Sequence, residues 1–139
     1  MNVTVDTKVL THQGAMCMLQ AAVVAAEKSG QPQCIVIVDA SGQTIAEIRM
    51  TGAKFLSRKS AKSKALTAAS IGAPSSNIPE SVRPAVWSAT GGCMTGLPGG
   101  LPIIVEGVVL GGIGVGSGTG PQDIEVAQAA LSSAIGAQL

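Results

Sequence analysis

Residues 34–50 read CIVIVDA, then Ser41-Gly42, then QTIAEIRM. Two β-branched apolar runs joined by a short polar/Gly turn are a β-hairpin. The first run is apolar almost throughout, which places it in the middle of a sheet. The second alternates in part and carries Glu47 and Arg49 on one face, so it is the more exposed strand. A second hairpin, PIIVEGVVLGGIGVG over 102–116, turns at Glu106-Gly107.

Helices fill the intervals. Thr11 is an N-cap for a helix over about 11–29, whose Ala15, Leu19, Ala22, Val23 and Ala26 share one face. Gly30 occupies the C′ position, and Pro32 prevents continuation. A second helix spans about 55–71, with Ala61, Ala65, Ala68 and Ala69 as its buried stripe and Gly72 and Pro74 ending it. Residues 75–89 are a loop or a short extra helix, and GGCMTGLPGG over 91–100 is a shaped loop. Pro121 opens a last helix over about 121–136, where Gln122, Asp123 and Glu125 suit the positive N-terminal end. NVTVDTKV, 2–9, is read as a further short strand. Paired strands separated by helices predict one antiparallel sheet covered by helices, an α+β class. At 139 residues a single domain, 1–139, is expected.

Composition narrows the function. One Phe, one Trp and no Tyr cannot build stacking platforms for single-stranded nucleic acid. Nine basic and eight acidic residues leave a net charge of +1, which offers no field for nucleic acid or an anionic membrane. No apolar run is long enough to span a bilayer, and no secretory leader is read. Cys17, Cys34 and Cys93 form no CxxC pair and are odd in number, which argues for a reduced, cytoplasmic protein without a disulfide frame. With one histidine, sites that need two or three are excluded. Charged residues are only 12% of the chain, so part of the surface is expected to be covered by another copy, making a homo-oligomer.

The combination of IVIVDASG, RMTGA, an Ala-rich helix carrying a Lys, and GGLPIIVEGVVLGGIGVGSGTGPQD resembles the GlcG/HbpS-like proteins, which include the C-terminal domain of PduO-type proteins. The most specific part is 99–123: Gly-Gly-x-Pro-Ile, the Glu-Gly turn, Gly-x-Ile-Gly-Val, and an Asp opening the last helix. The resemblance implies a profilin-like α/β/α arrangement with a five-stranded antiparallel sheet. It implies oligomers, and several members are haem binders.

On this basis the leading function is a small-ligand-binding protein for haem or another tetrapyrrole. His12 is the candidate metal ligand, since the resemblance implies a helix-1 histidine and imidazole is a common axial ligand of haem iron. Its alternative is an exposed first-turn His without a role. Arg58 could pair a ligand carboxylate, or Asp39 or Glu47. Thr95 in the glycine loop could reach a metal or ligand, and Gly99 and Gly100 permit close backbone approach. GVGSGTGP could present N–H groups to a carboxylate or propionate, or be only a tight turn. A second function is an isomerase- or hydrolase-type accessory enzyme on a small oxygenated acid. There Asp39 or Glu47 would move protons while Arg49, Arg58 and Lys64 held the carboxylate. The competing readings are a turn hydrogen bond for Asp39 and an ordinary surface position for Lys64. A third is a structural oligomer.

Overall fold

The computed structural model describes residues 1–135. Helix α1 (His12–Ser29) leads into the hairpin of β1 (Cys34–Asp39) and β2 (Thr44–Arg49). Helix α2 (Ser57–Ile71) and a short α3 (Arg83–Ala89) precede the hairpin of β3 (Gly100–Val105) and β4 (Val108–Gly116), and α4 (Gly120–Ile135) follows. The strands form one antiparallel sheet in the order β2-β1-β4-β3. The sequence expectation of residue 136 in the last helix falls outside the described residues.

The sheet has four strands, not five. Residues 2–9 form no strand, and Val3, Val5 and Val9 are 94%, 83% and 78% exposed. Their alternation meets no apolar surface, so burial cannot offset the entropy of ordering them. The fixed point there is a surface pair, Lys8 Nζ to Glu106 Oε2 at 3.1 Å.

The helices form two layers. α1 and α4 pack together on one face of the sheet, over Ile35, Ile37, Ile103, Ile113 and Val115. α2 covers the other, over Cys34, Val36 and Val38. β1 is therefore covered on both sides, as its unbroken apolar run predicts. α1 begins at the expected cap, where the Gly14 N–H donates to Thr11 Oγ1 at 3.0 Å. It buries Ala15, Met18, Ala22 and Ala26, with Leu19 and Val23 only part-buried. Glu106 and Gly107 both have positive φ, 51° and 78°, which is the type I′ turn of a two-residue hairpin.

The α2–β4 contact is unusually close for a physical reason. Gly112, Gly114 and Gly116 alternate along β4 and present no side chain to α2. A Cβ on Gly112 or Gly114 would overlap the carbonyl of Ala65 or Ala61, and one on Gly116 would lie 3.0 Å from the Ser57 carbonyl oxygen. Small residues on the facing helix turn complete the fit, so backbone packs on backbone.

The glycine loop then closes over α2. Ser63 Oγ donates to the Gly92 carbonyl at 2.7 Å, and the Thr95 N–H donates to Thr67 Oγ1 at 2.9 Å. This explains why Ser63 and Thr67 are buried although they lie off the alanine stripe. Among the described residues no helix is long and apolar enough to cross a membrane.

Candidate functional site

The chemically distinctive site sits where the end of β4 meets α2 and α4. Lys64 projects from α2 past β3 and β4. Its ammonium donates to Asp123 Oδ2 at 2.9 Å and to the Val115 carbonyl at 2.8 Å. The two side chains are 6% and 4% exposed, so this ion pair is buried. Lys64 is thus not an ordinary surface lysine. Asp123 comes from the first turn of α4, and its other oxygen accepts the Gly118 N–H at 3.0 Å. Burial pushes the Asp123 carboxyl above its ordinary range, while the Lys64 hydrogen bond and charge and the Gly118 N–H oppose that rise.

Gly99 and Gly100 wall this pair. A Cβ on Gly99 would lie 2.7 Å from the Val115 oxygen and 3.2 Å from Lys64 Nζ. One on Gly100 would overlap the Lys64 carbonyl. The Val115 carbonyl and the Asp123 side chain occupy the space a side chain at 99 would need, and the Lys64 backbone occupies it at 100. Ser75 ties this wall to the loop before it: its hydroxyl accepts the Gly100 N–H at 3.0 Å and donates to the Leu97 carbonyl at 2.6 Å. Thr95 is buried nearby in the same loop, its hydroxyl accepting the Leu97 N–H at 3.2 Å. In front of the pair lies an open cavity of about 280 Å³ with a mixed lining: Lys54, Ser57, Ser117 and Gly118 on its polar side, Leu97 and Pro98 on its apolar side. Ser117 holds a left-handed φ of 88°, rare for a residue with a side chain. Its hydroxyl accepts the Lys54 N–H at 3.0 Å.

A second concavity is larger and apolar. The outer faces of α1 and α4 form an open groove of about 1000 Å³, with Met16, Cys17 and Val24 on one wall and Ala129 on the other. His12 is exposed at the first position of α1, one residue before the groove-lining Gln13 and one turn before Met16.

The remaining candidates are scattered. Asp39 closes the first hairpin: Oδ1 accepts the Ser41 N–H, the Ser41 hydroxyl and the Gln43 N–H at 2.9, 2.8 and 3.0 Å. The Ser41 hydroxyl foremost, with those backbone N–H groups, holds its carboxyl below the usual range. Arg49 lies at the opposite end of that hairpin, opposite Cys34 and five residues beyond Thr44. It sits on outer strand β2, whereas Lys64 serves the β3–β4 half. The triad Asp39–Arg49–Lys64 is therefore not assembled. Arg58 pairs with Glu47 at 2.9 Å on the surface, one of the partners open to it.

His12 and the other cofactor candidates are also apart. α1 runs toward the Cys34 end of β1, so His12 begins it at the Glu106 end of the sheet. Arg58 begins α2 at the Gly116 end and on the opposite face. One ligand on one protomer cannot touch both.

Two residues escaped sequence reasoning. Asp123 was legible as a helix-start carboxylate but not as the partner of a lysine 59 positions away. Gln33 is fully buried, and neither of its amide atoms has a hydrogen-bond partner among the described residues. Nothing in its short-range pattern separates it from a loop glutamine.

Comparison with known proteins gives the family. A family model described as haem degrading protein HbpS-like matches residues 10–132. The corrinoid adenosyltransferase PduO of Citrobacter freundii is 31% identical over 129 residues, covering 89% of this chain but only 38% of that relative's length. Among solved structures, Klebsiella pneumoniae protein ORFY has a TM-score of 0.91 at 28% identity, covering 96% of this chain and 95% of that one. A PduOC:heme complex has a TM-score of 0.84 at 27% identity, covering 91% and 95%. A four-stranded α+β architecture and a match over most of the length agree with the motifs at 99–123: the chain belongs to the HbpS-like family.

Proposed function

We propose that this protein binds haem or a related tetrapyrrole. The observation that carries the reading is the likeness, over 91% of the chain, to a domain whose structure is a haem complex. The residues present suit such a group. His12 is exposed and engages no side-chain hydrogen bond among the described residues, so its imidazole is available to iron. Met16, Cys17 and Val24 supply neighbouring apolar surface, and Lys28 supplies a cation on the same groove. When bound, haem would supply a redox-active iron. The chain's own part is to hold the metal at His12 and to shelter the macrocycle edge from water.

Haemin titration tests this directly. A saturable Soret band is expected, shifted or weakened in His12→Ala. No Soret response to haemin overturns the reading, and a band unchanged in His12→Ala removes His12 as the ligand.

We also infer that copies associate. Met16 and Val24 on α1, Phe55 and Leu56 before α2, and Trp87 and Leu97 are all at least half exposed. Charged residues make up only 12% of the chain, which suits the surface of a subunit rather than of a lone protomer. A reducing, cytoplasmic setting suits its three free cysteines. Light scattering is expected to give a mass at least twice that of the 13.8 kDa chain, and a monomer at micromolar concentration overturns the association.

A further inference from the structure

We propose that the cavity at the end of β4 is a receptor for a carboxylate group, held by Lys64, Ser57, Ser117 and Lys54. The cavity is rich in donors. An ammonium has three N–H bonds, and Lys64 directs two of them at Asp123 and Val115, leaving one for a ligand. Ser57 Oγ makes no hydrogen bond among the described residues, and Ser117 Oγ is engaged only as an acceptor, so each has a proton to give. Lys54 adds a cation at the rim. Asp123 is already neutralised by Lys64, so Lys54 leaves the lining with one uncompensated positive charge. A donor-rich, singly positive recess selects an acceptor with one negative charge.

Two further observations set this place apart from an ordinary helix start. The Gln33 amide, buried and without a partner among the described residues, lies behind the cavity wall: a Cβ on Gly118 would be 2.8 Å from its Nε2 and 2.9 Å from Asp123 Oδ1. Gln33 itself does not line the cavity, so it marks an unsatisfied polar interior beside the ion pair rather than a ligand contact. In addition, an ion pair buried between α2 and α4 is an expensive feature unless its remaining donor is used. The cavity is less than a third the size of the α1–α4 groove, enough for an acid of a few carbons or for one carboxylate arm of a larger molecule. This site lies at the Gly116 end of the sheet, the opposite end from His12, so it stands or falls apart from iron binding.

The test is a titration of ¹⁵N-labelled protein at constant ionic strength with acetate, glycolate, phosphate or chloride, and separately with haemin and its dimethyl ester. Saturable shifts of the Ser57, Ser117, Gly118 and Gly120 amides at millimolar acetate or glycolate are expected. Ser57→Ala removes a hydroxyl with no internal bond, and Lys54→Met removes the rim charge. Each should weaken binding about tenfold without unfolding the chain. Haemin shifting these amides while its dimethyl ester and the free acids do not supports the carboxylate receptor and assigns the arm to a tetrapyrrole. No saturable shift with any carboxylate overturns the proposal. So do equal responses to chloride, or affinities unchanged in both variants.

Discussion

Lys64 Nζ lies 2.9 Å from Asp123 Oδ2, and the contact joins α2 to α4 around the end of β4. It is the one place where the two helical layers, on opposite faces of the sheet, are linked by a buried charge pair among the described residues. The link matters because its two ends cannot be removed singly without cost.

Lys64→Met leaves Asp123 buried without its counter-charge. A loss of about 3–5 kcal/mol is expected near neutral pH, whereas the double change Lys64→Met with Asp123→Leu should recover most of it. Urea denaturation of the three proteins checks this. If the double variant is no more stable than Lys64→Met, the pair is not the cause.

The same variant carries a pH signature. Burial raises the Asp123 carboxyl in the folded chain relative to the unfolded one. Between the two values the folded state binds more protons, so this group's contribution to stability falls as pH rises through that window. Without Lys64 the folded value climbs further and the window widens upward. The stability gap between Lys64→Met and wild type should therefore narrow as pH falls from neutral toward acid, read as converging melting temperatures.

Gly114→Ala tests the backbone packing of β4 on α2. The new methyl overlaps the Ala61 carbonyl, and a backbone atom cannot step aside as a side chain can. A loss of at least about 3 kcal/mol is expected, at the upper end for overpacking, with a smaller loss for Gly116→Ala, where the nearest atom is 3.0 Å away. Equal, mild losses in thermal denaturation would show that α2 tolerates displacement.

Asp39→Ala removes three hydrogen bonds from the first hairpin turn. A loss of roughly 1–2 kcal/mol is expected at neutral pH. Because its carboxyl is held below the ordinary range in the folded chain, the wild-type advantage is present above the unfolded value and disappears as pH falls through the folded one. Haemin uptake and carboxylate titration should be unaffected, which separates a turn residue from a proton donor.

Thr11→Ala deletes the side-chain cap of α1 and should lower stability by about 1 kcal/mol, with Thr11→Ser nearly neutral. Because His12 follows directly, the same variants show whether helix fraying alone lowers haemin affinity.

The local signals were legible. Both hairpin turns, the Thr11 cap, the Gly30 stop and the central place of β1 follow from residues within a few positions of each other. The strand over 2–9 was misread because alternation in NVTVDTKV says nothing about whether a surface awaits it. The site was legible only in its parts. Gly99, Gly100 and Thr95 stood out as a glycine loop, but the reasons for the glycines are the Val115 carbonyl and Asp123 side chain beside Gly99 and the Lys64 backbone beside Gly100, all on other elements. Lys64 reads as a surface residue in SRKSAKSKALTAASI because four other basic residues surround it over 54–64, and only the loop closing over α2 singles it out for burial. The glycine alternation at 112, 114 and 116 is visible in the chain, yet its meaning needs the facing turns of α2.

The positions of β2 and β3 at the two margins of the sheet bear on how copies can meet. Pro102 in β3 has no N–H to offer a neighbouring strand, and β2 lines its margin with exposed Glu47 and Arg49. Both rims thus resist zipping onto another chain, so continuous ribbons and fibres running through successive protomers are disfavoured. The association of copies proposed above would then run through the helical faces rather than through the sheet.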